Sequence, residues 1–482
     1  MAVLLFLTFA AWSMGSAVGS TPDEGYVLTS IWCGETGATP YCQVDQNRYS
    51  AMILQVMATE PQLCYVQLGQ DYSAACQEAI YNQEISTQHY DSANLYPKAY
   101  FNIARNWVSS DIEASVVRIR LFNSFIACVL ILFALSINRR RDSDLLVSWL
   151  AVIAPVTTYF ISSVNTSSWT LIGTTCFVFA SIAAIRNRKD KKLLIAASLL
   201  TVFSIWFTNS SRYEGKYVLL LLGAAVIYSE FAPRNLQLNK KTALVGAAIL
   251  PILFFIYSYF ANVYGRVNIF TDSRFEVTEG VKTTANNLLL QNFLNLPRFI
   301  MGFFGGWGLG WFELEMTHTV WLFALQAFLL TTVFALYKSD NARRTIFGGL
   351  FAVMCAAILY ANQQTFTKVG NVIQPRYFLP FFLGIVIIAA ANKTARFPNS
   401  LVLTVAILAT ISNSIALRDT IRRYTTGQDV FISKSLNSPR EWWWNFGPAP
   451  ETVWLIGSLA FAMLFAVIIY ERKLESAETS KI

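Results

Sequence analysis

Residues 119–137 read IRLFNSFIACVLILFALSI, and the next residues, 138–144, read NRRRDSD. The first stretch is long and apolar enough to cross a bilayer core about 30 Å thick, which takes roughly 20 helical residues. The second is a short basic segment of the kind that flanks membrane spans on the cytoplasmic side. Together they predict a transmembrane helix that ends in the cytoplasm.

The same alternation of apolar and basic segments recurs along the 482-residue chain. About twelve spans are predicted, at 2–19, 119–137, 145–162, 169–185, 193–208, 217–232, 242–264, 319–337, 345–361, 377–391, 400–417 and 452–470. Every even-numbered span leads into a basic segment, namely 138–144, 186–192, 233–241, 338–344, 392–399 or 471–482. These segments hold 19 of the 37 lysines and arginines but only seven acids. The bias predicts that both termini are cytoplasmic.

Composition agrees with a membrane protein rather than a soluble one. The chain is 54% hydrophobic and only 14% charged, with a mean hydropathy of +0.43, whereas a soluble domain is about 25% charged. The net charge of +8 would by itself suggest a nucleic-acid partner, but the basic segments carry +12 and the rest of the chain −4. We therefore expect an all-α polytopic protein of the plasma (inner) membrane, with the lipid bilayer and no nucleic acid as partner.

The spans divide the chain into membrane and extracytoplasmic parts. The predicted parts are a first transmembrane helix (1–19), an outer loop with short helices (20–118), helices two to seven (119–264), an outer or re-entrant loop (265–318), helices eight to eleven (319–417), an outer loop (418–451), and a last helix with a cytoplasmic tail (452–482). A cleaved signal peptide is the alternative for the first part. The absence of Lys or Arg before its apolar run favours a retained helix.

Four of the seven cysteines lie in the first outer loop, at Cys33, Cys42, Cys64 and Cys76. This clustering predicts two disulfides in an oxidising compartment. Of the three possible pairings we favour Cys33–Cys42 with Cys64–Cys76. Reduced thiols and a zinc site are the alternatives, although the loop has no CxxC pair.

The second and third outer loops are rich in tryptophan. Residues 285–304 are apolar but interrupted by polar side chains, which predicts an interfacial or re-entrant helix. The glycine-rich stretch 305–318 follows. His318 with nearby acids could hold a divalent cation, but no metal-binding spacing supports this, and we expect no required metal or cofactor. In the third loop, Trp442, Trp443 and Trp444 predict an aromatic belt at the membrane surface.

A pair of acids, Asp23 and Glu24, follows the first span directly. A carboxylate beside a low-dielectric surface can take the proton of an acceptor hydroxyl. The alternative is helix capping, with Thr21 as N-cap and Pro22 in the first turn. The two interpretations are compatible, because a capped helix can hold Asp23 rigidly.

Basic residues gather at the outer ends of other spans. Arg376, beside Tyr377, suits a lipid phosphate through its bidentate fork, and Arg212, Lys216 and Lys368 could share that phosphate. The alternatives are a snorkelling arginine and a local ion pair of Arg212 or Lys216 with Glu214.

Three motifs taken together resemble a known family. Residues 21–26 (TPDEGY), 305–315 (GGWGLGWFELE) and 374–380 (QPRYFLP) resemble, in order, the PDE, glycine–tryptophan and QGRYFLP motifs of a bacterial polytopic membrane-protein family of unknown function. That family is grouped with the GT-C superfamily of glycosyltransferases. The sequence departs from its pattern at Val27, where the family has histidine, at Pro375, where it has glycine, and at 164–167, which lack an NPD-like turn.

The resemblance implies a GT-C-like fold and an inverting glycosyltransferase. Such an enzyme takes a sugar from a polyprenyl-phosphate donor and transfers it to a glycan or glycolipid acceptor outside the membrane, during cell-wall biogenesis. Asp23, with Glu24 adjacent, matches the catalytic base, and Arg376 matches the donor-phosphate arginine, assisted by Lys368, Arg212, Lys216 and Tyr377. Trp307, Trp311, Glu313 and His318 would bind sugar or acceptor. A lipid-linked glycan polymerase, a flippase or transporter, and a non-catalytic scaffold are the alternatives.

Overall fold

The computed structural model describes most of the chain. The described residues are 1–34, 38–39, 42–45, 50–54, 56, 65, 69–81, 83–91, 94–138, 142–231, 285–371, 373–391, 396–428 and 435–479. The seventh predicted span, 242–264, lies outside the described residues, as do Cys64 and the basic segment 233–241.

Helices dominate the described residues. The α-helices are α1 (Ala2–Met14), α2 (Glu24–Cys33), α3 (Lys98–Ala104), α4 (Ile112–Ser136), α5 (Asp142–Ile153), α6 (Val156–Ile161), α7 (Thr166–Arg186), α8 (Lys191–Asn209), α9 (Gly215–Phe231), α10 (Ala285–Leu294), α11 (Leu296–Gly302), α12 (His318–Tyr337), α13 (Asn341–Gln364), α14 (Leu379–Ala390), α15 (Asn399–Thr425) and α16 (Pro450–Thr479). Short 3-10 helices span Ala74–Ile80, Arg105–Trp107 and Pro375–Tyr377.

Among the described residues, seven helices are long and apolar enough to cross a membrane: α4, α7, α8, α12, α13, α15 and α16. They coincide with the second, fourth, fifth, eighth, ninth, eleventh and twelfth predicted spans. The first and tenth spans correspond to the shorter apolar helices α1 and α14. The third is divided at Ala154–Pro155 into α5 and α6, because proline cannot donate the hydrogen bond that would continue a helix. The polytopic helical class is confirmed, while the number twelve and the GT-C-like arrangement stay predictions.

Polar residues in the turns explain where several membrane helices begin. Asp111 accepts a hydrogen bond from the N–H of Ala114 at the start of α4, and Asp190 and Asp340 act in the same way for α8 and α13. The first turn of a helix has N–H groups without helical partners, and a short carboxylate satisfies one or two of them. The hydrophilic turns thus set the helix boundaries as well as separating the spans.

Buried ion pairs join the helix ends that the charge pattern places in the cytoplasm. Glu230 accepts from Arg186 at 2.7 Å and from Arg343 at 2.6 Å, linking α7, α9 and α13. Asp144 and Arg472 pair in the same way between α5 and α16. Predicted inner residues therefore contact one another, and the predicted outer residues meet at the other helix ends, as described below. The absolute orientation and the position of the termini stay predictions.

The first outer loop contains more than the short helices expected from its sequence. A small antiparallel sheet pairs β1 (Ala38–Thr39), β2 (Cys42–Val44), β3 (Ala51–Leu54) and β4 (Glu84–Thr87) in that order. Cys33 at the end of α2 forms a disulfide with Cys42 in β2, which confirms that predicted pair. Cys76 is also disulfide-bonded, but its predicted partner Cys64 lies outside the described residues.

The tryptophan run of the third outer loop is buried, so the prediction of an aromatic membrane belt was wrong. Trp442, Trp443 and Trp444 are only 2%, 8% and 4% exposed. The Trp444 indole donates to the Met14 carbonyl at the end of α1 at 2.8 Å. An aromatic ring with a polar edge suits an interface, but it equally suits a buried helix end with a free carbonyl.

Candidate functional site

The segment that carries the acidic pair is held in an unusual backbone conformation. Asp23 precedes α2 with φ of +65°, a left-handed conformation that few residues other than glycine adopt. Its side chain makes no capping hydrogen bond to α2. The predicted cap Thr21 does not act as one either, because its hydroxyl is buried without a hydrogen-bond partner among the described residues. The Asp23 carboxylate is therefore directed to other partners.

Glu24 is fully buried in an ion pair with Arg120 of α4. Arg120 Nη2 lies 2.9 Å from Oε1 and 3.0 Å from Oε2. Arg120 also donates to the carbonyls of Ser13 in the last turn of α1 and of Ser16 and Ala17 just after it. Two backbone N–H groups, of Thr21 and Val164, complete the carboxylate's partners. This environment favours a structural role for Glu24 and leaves Asp23 as the candidate base.

Asp23 faces Arg376, as expected if the two distant motifs act together. Arg376 Nη2 donates to Asp23 Oδ2 at 2.7 Å and to the Tyr377 hydroxyl at 3.1 Å, and Nη1 donates to the Pro22 carbonyl at 2.8 Å. The Arg376 side chain is 1% exposed, whereas that of Asp23 is 31% exposed. A buried cation thus lies beneath a carboxylate that remains accessible.

Arg212 approaches the same carboxylate from the turn between α8 and α9. Its Nη2 lies 4.0 Å from Asp23 Oδ2. Its Cζ lies 5.5 Å from the centre of the Tyr96 ring and 5.4 Å from the centre of the Tyr377 ring. Burial alone would lower the pKa of Arg212, but Tyr96 and then Glu214 raise it above the usual value. Arg212 is therefore a permanent cation at this site.

Both arginines have hydrogen-bond donors to spare. Nε and Nη2 of Arg212, and Nε of Arg376, are enclosed by protein and have no hydrogen-bond partner among the described residues. Buried polar groups normally find partners, so three such donors around one carboxylate need an explanation. An anion could accept from them once the side chains that enclose them move aside.

Two further residues, which were not predicted from the sequence, hold the site together. Asn165, the N-cap of α7, donates from Nδ2 to the Pro22 carbonyl at 2.7 Å, the same oxygen that Arg376 uses. Tyr96, from the first outer loop, covers Arg212. Arg120 was also missed, although an arginine inside the predicted span 119–137 is a recognised signal of a buried functional or structural partner.

The two predicted lysines lie apart from Asp23. Lys216 is exposed and stacks on Tyr217 at 5.1 Å, and Lys368 is exposed on the loop after α13. Neither makes an ion pair with Asp23 in the described part of the chain. The structure therefore brings together Asp23, Arg376, Tyr377 and Arg212 from the predicted phosphate site, but not the lysines.

The glycine–tryptophan loop and the end of α11 before it pack against the two motifs of the site. Gly302, the last residue of α11, lies so close to the 3-10 turn of Arg376 that a Cβ on it would be 2.4 Å from Pro375 Cγ. Trp307 donates to the Arg298 carbonyl at 2.7 Å, and Trp311 donates to the Gly19 carbonyl at 3.1 Å. Both indoles therefore fix the loop to neighbouring backbone, and their predicted contact with sugar stays a prediction.

Glu313 and His318 are separate from each other. Glu313 is half-buried beside Tyr424, whose hydroxyl lies 3.5 Å from Oε1. Burial raises the pKa of Glu313 to about 7, despite the opposing charge of Arg423. His318 is exposed at the start of α12, where its ring contacts Trp321. Among the described residues no group of three or more His, Cys, Asp or Glu could hold a metal ion.

Comparison with known proteins identifies a family but no characterised relative. No curated protein matches the chain, and no solved structure matches it. Residues 6–385 match the model of a family described as predicted membrane protein (DUF2142), so the match includes Asp23, Arg120, Arg212 and Arg376. The grouping of such proteins with the GT-C superfamily stays a prediction. Because the matched range covers well over half of the 482 residues, the chain belongs to this family of predicted membrane proteins.

Proposed function

We propose that the protein is an integral-membrane inverting glycosyltransferase, which moves a sugar from a polyprenyl-phosphate donor to a glycan or glycolipid acceptor outside the cytoplasm. One observation carries the proposal: two buried arginines with unpartnered donors converge on one accessible carboxylate at the predicted outer ends of the helices. The arginines suit a phosphate, and the carboxylate suits a hydroxyl.

The charge of the site supports a phosphate ligand. Arg212 and Arg376 are both buried. Asp23 is hydrogen-bonded to Arg376 and is the carboxylate closest to Arg212, while the partly exposed Glu214 lies further from Arg212. Burying a cation is costly unless an anion and enough acceptors compensate it. A guanidinium binds phosphate through paired N–H donors, and three such donors are unused here.

The proposed reaction is a single displacement at the anomeric carbon. The acceptor hydroxyl oxygen forms the new bond to that carbon as the bond to the phosphate oxygen breaks. The electron pair leaves with the phosphate, whose added charge Arg376 and Arg212 stabilise, and the hydroxyl proton passes to Asp23. Polyprenyl phosphate and the glycosylated acceptor are the products, so no nucleotide is consumed.

The pairing of Asp23 with Arg376 suggests how the two substrates are coordinated. Asp23 Oδ2 accepts from Arg376 at 2.7 Å and compensates its charge. A donor phosphate would take over that compensation and free the carboxylate for the acceptor hydroxyl. Donor binding would then precede activation of the base, so that Asp23 becomes free to accept a proton only when the donor is in place.

The test is transfer by the purified full chain in lipid nanodiscs, with radiolabelled polyprenyl-phosphate sugars as donors and cell-envelope lipid extract as acceptor. Asp23→Asn should reduce transfer by a factor of roughly a hundred to ten thousand, because an amide cannot take the proton, while donor binding persists. The exposed Asp71→Asn is the matched control. Transfer by Asp23→Asn at the wild-type rate would overturn the assignment.

Product analysis and a second assay separate the alternatives. Transfer of a glycan block rather than a single sugar in the nanodisc assay would identify a polymerase. Movement of labelled lipid-linked glycan across the membrane of sealed proteoliposomes, unaffected by Asp23→Asn, would identify a flippase. Phosphate binding with neither activity would identify a receptor or scaffold.

A further inference from the structure

The first outer loop returns to the first turn of α2, where one buried carboxylate fastens it. Asp91 accepts from the Tyr26 hydroxyl of α2 at 3.0 Å. It also accepts from the backbone N–H groups of Leu95 and Tyr96, at 2.6 Å and 3.4 Å, and pairs with Lys98 at 3.4 Å. A buried carboxylate with several hydrogen-bond partners holds its surroundings rigidly. The backbone at Tyr96 therefore has a fixed position relative to α2.

Tyr96 is held by contacts with three different elements. Its ring packs against Tyr26 of α2 with centroids 5.8 Å apart, and edge to face against Phe101 of α3 at 6.3 Å. The same ring lies 5.5 Å from Cζ of Arg212, in the turn between α8 and α9. Tyr96 is partly exposed, as is the Asp23 carboxylate, so both are accessible from the predicted outer side.

The Tyr96 hydroxyl has a proton to donate. It forms no hydrogen bond with another residue in the described part of the chain. Burial raises the pKa of Tyr96 well above its usual value, and the nearby cation Arg212 opposes this without reversing it. Asp23 and then Tyr377 raise this pKa further, so all three groups act electrostatically on the hydroxyl. The hydroxyl therefore stays protonated at neutral pH, within reach of the charges of the candidate site.

Neutral donors suit a site that already holds two cations. Arg212 and Arg376 repel each other, which opposes the charge of Arg212 in the same direction as its burial does. A third cation would add to this repulsion, whereas a tyrosine hydroxyl donates a hydrogen bond without a charge. The Tyr377 hydroxyl already has this position, because it accepts from Arg376 at 3.1 Å and keeps its own proton for another acceptor. Tyr96 offers a second hydroxyl from a separate part of the chain.

The position of Tyr96 links it to the unpartnered donors of Arg212. Its ring is one of the two that cover the Arg212 guanidinium, at 5.5 Å and 5.4 Å, the other being that of Tyr377. Nε and Nη2 of Arg212 are enclosed and have no hydrogen-bond partner among the described residues. An anion that displaces the covering rings to reach these donors therefore comes to lie next to Tyr96.

We propose that the Tyr96 hydroxyl is a further ligand of a phosphate group bound by Arg212 and Arg376, and that Asp91 is the residue that positions it. The hydroxyl donates to a non-bridging phosphate oxygen and takes no part in making or breaking bonds. The inference rests on the proposed function only for the polyprenyl chain that carries the phosphate. A free phosphate ion has the same chemistry, and the test separates the two sources.

The test measures binding of undecaprenyl phosphate and of inorganic phosphate to the full chain in mild detergent, by calorimetry. Tyr96→Phe keeps the ring against Arg212 and removes only the hydroxyl. It should weaken phosphate binding roughly tenfold, the effect of one lost hydrogen bond to a charged group. The matched control is Tyr213→Phe, which removes the hydroxyl of an exposed tyrosine beside Arg212 and should bind as wild type does.

A double-mutant cycle tests the positioning role of Asp91. Asp91→Asn keeps the side-chain size but removes the charge that gathers the segment, so it should weaken phosphate binding several-fold. In the Tyr96→Phe background it should have no further effect, because Asp91 acts through the missing hydroxyl. Equal losses in both backgrounds would show that Asp91 is merely structural. Should Asp91→Asn fold poorly, Tyr26→Phe, which removes one of its partners, replaces it in the cycle.

The outcomes for Tyr96 and for the proposed function are distinguishable. Unchanged affinity of Tyr96→Phe, with weaker binding by Arg212→Gln, overturns the role of Tyr96 and leaves the proposed donor site standing. Binding of undecaprenyl phosphate that depends on Tyr96, without any sugar transfer, supports the inference and contradicts the transferase. Binding of inorganic phosphate alone, again dependent on Tyr96, does the same. No binding of either probe to wild type overturns both.

Discussion

The neighbouring acids Asp23 and Glu24 should divide function from stability. Glu24→Gln should destabilise the protein, because it breaks a fully buried ion pair with Arg120. Asp23→Asn should cost less stability than Glu24→Gln and remove the proposed activity. The two substitutions change one carboxylate to an amide at consecutive positions, so each serves as the control of the other.

The structure sets the size of each effect. Removing one partner of a buried ion pair costs about 3–5 kcal/mol. Arg120 keeps three carbonyl acceptors when Glu24 is neutralised, so we expect the lower end, about 3 kcal/mol, or roughly a hundredfold shift in the unfolding equilibrium. Asp23 is 31% exposed, so its pair with Arg376 is partly solvated, but Arg376 is buried and loses its closest negative charge. We therefore expect Asp23→Asn to cost more than an exposed pair and less than a fully buried one, about 1–2 kcal/mol, and asparagine tolerates the left-handed backbone.

The assay is unfolding of the purified protein in mild detergent, followed by tryptophan fluorescence under increasing denaturant, for wild type and both variants. Transfer from a polyprenyl-phosphate sugar is measured on the same samples below the transition. The expected results are a large decrease in midpoint for Glu24→Gln, and lost transfer for Asp23→Asn with a smaller decrease in midpoint. A Glu24→Gln protein that unfolds within about 1 kcal/mol of wild type, the range of exposed pairs, would refute the buried ion pair as a major source of stability.

Three other predictions follow from the same geometry. Arg212→Gln should weaken binding of undecaprenyl phosphate at least tenfold, measured by calorimetry, because it removes two unused donors. The exposed Lys216→Gln is the control and should bind as wild type does. Equal affinities of the two variants would exclude Arg212 from the site. Gly310→Ala should open the glycine–tryptophan loop, since a left-handed alanine costs about 1–2 kcal/mol and its Cβ would lie 2.4 Å from the Glu313 carboxylate. Amide hydrogen exchange in residues 305–315 measures this opening, and unchanged exchange would contradict it. The pKa of Glu313 is raised from 4.5 to about 7, so the folded protein binds more protons than the unfolded chain between these values. The contribution of Glu313 to stability should be complete below about pH 4.5 and decrease as the pH rises through 7. Unfolding midpoints at several pH values should show this decrease in wild type and not in Glu313→Gln, and parallel curves would refute it.

The fold class follows from local properties of the sequence. Apolar stretches of helical length must satisfy their own backbone hydrogen bonds in lipid, so length and hydropathy predict helices without any knowledge of their packing. The disulfide Cys33–Cys42 was also predictable from local sequence, because its two cysteines are near each other in the chain. The sheet of the first outer loop was not, because its short strands are specified by pairing with one another.

The candidate site was predictable only in part. Composition and topology singled out Asp23, Arg212 and Arg376 as charges left on the outer side, and the structure brings these three together. Lys216 and Lys368 have the same charge and the same predicted side but point to solvent. Charge and position along the chain do not encode the direction of a side chain on a turn.

The sequence by itself determined that the protein is a polytopic helical membrane protein and which few charges remain outside the spans, because hydropathy and charge act locally on each segment. Only the tertiary structure decided the roles of two adjacent acids. Glu24 is turned inward to Arg120, 96 residues away, while Asp23 is turned outward to Arg376, 353 residues away. The left-handed backbone at Asp23 sends the two side chains in different directions, and that direction depends on contacts with α4, α7 and the Arg376 turn, which no local pattern contains.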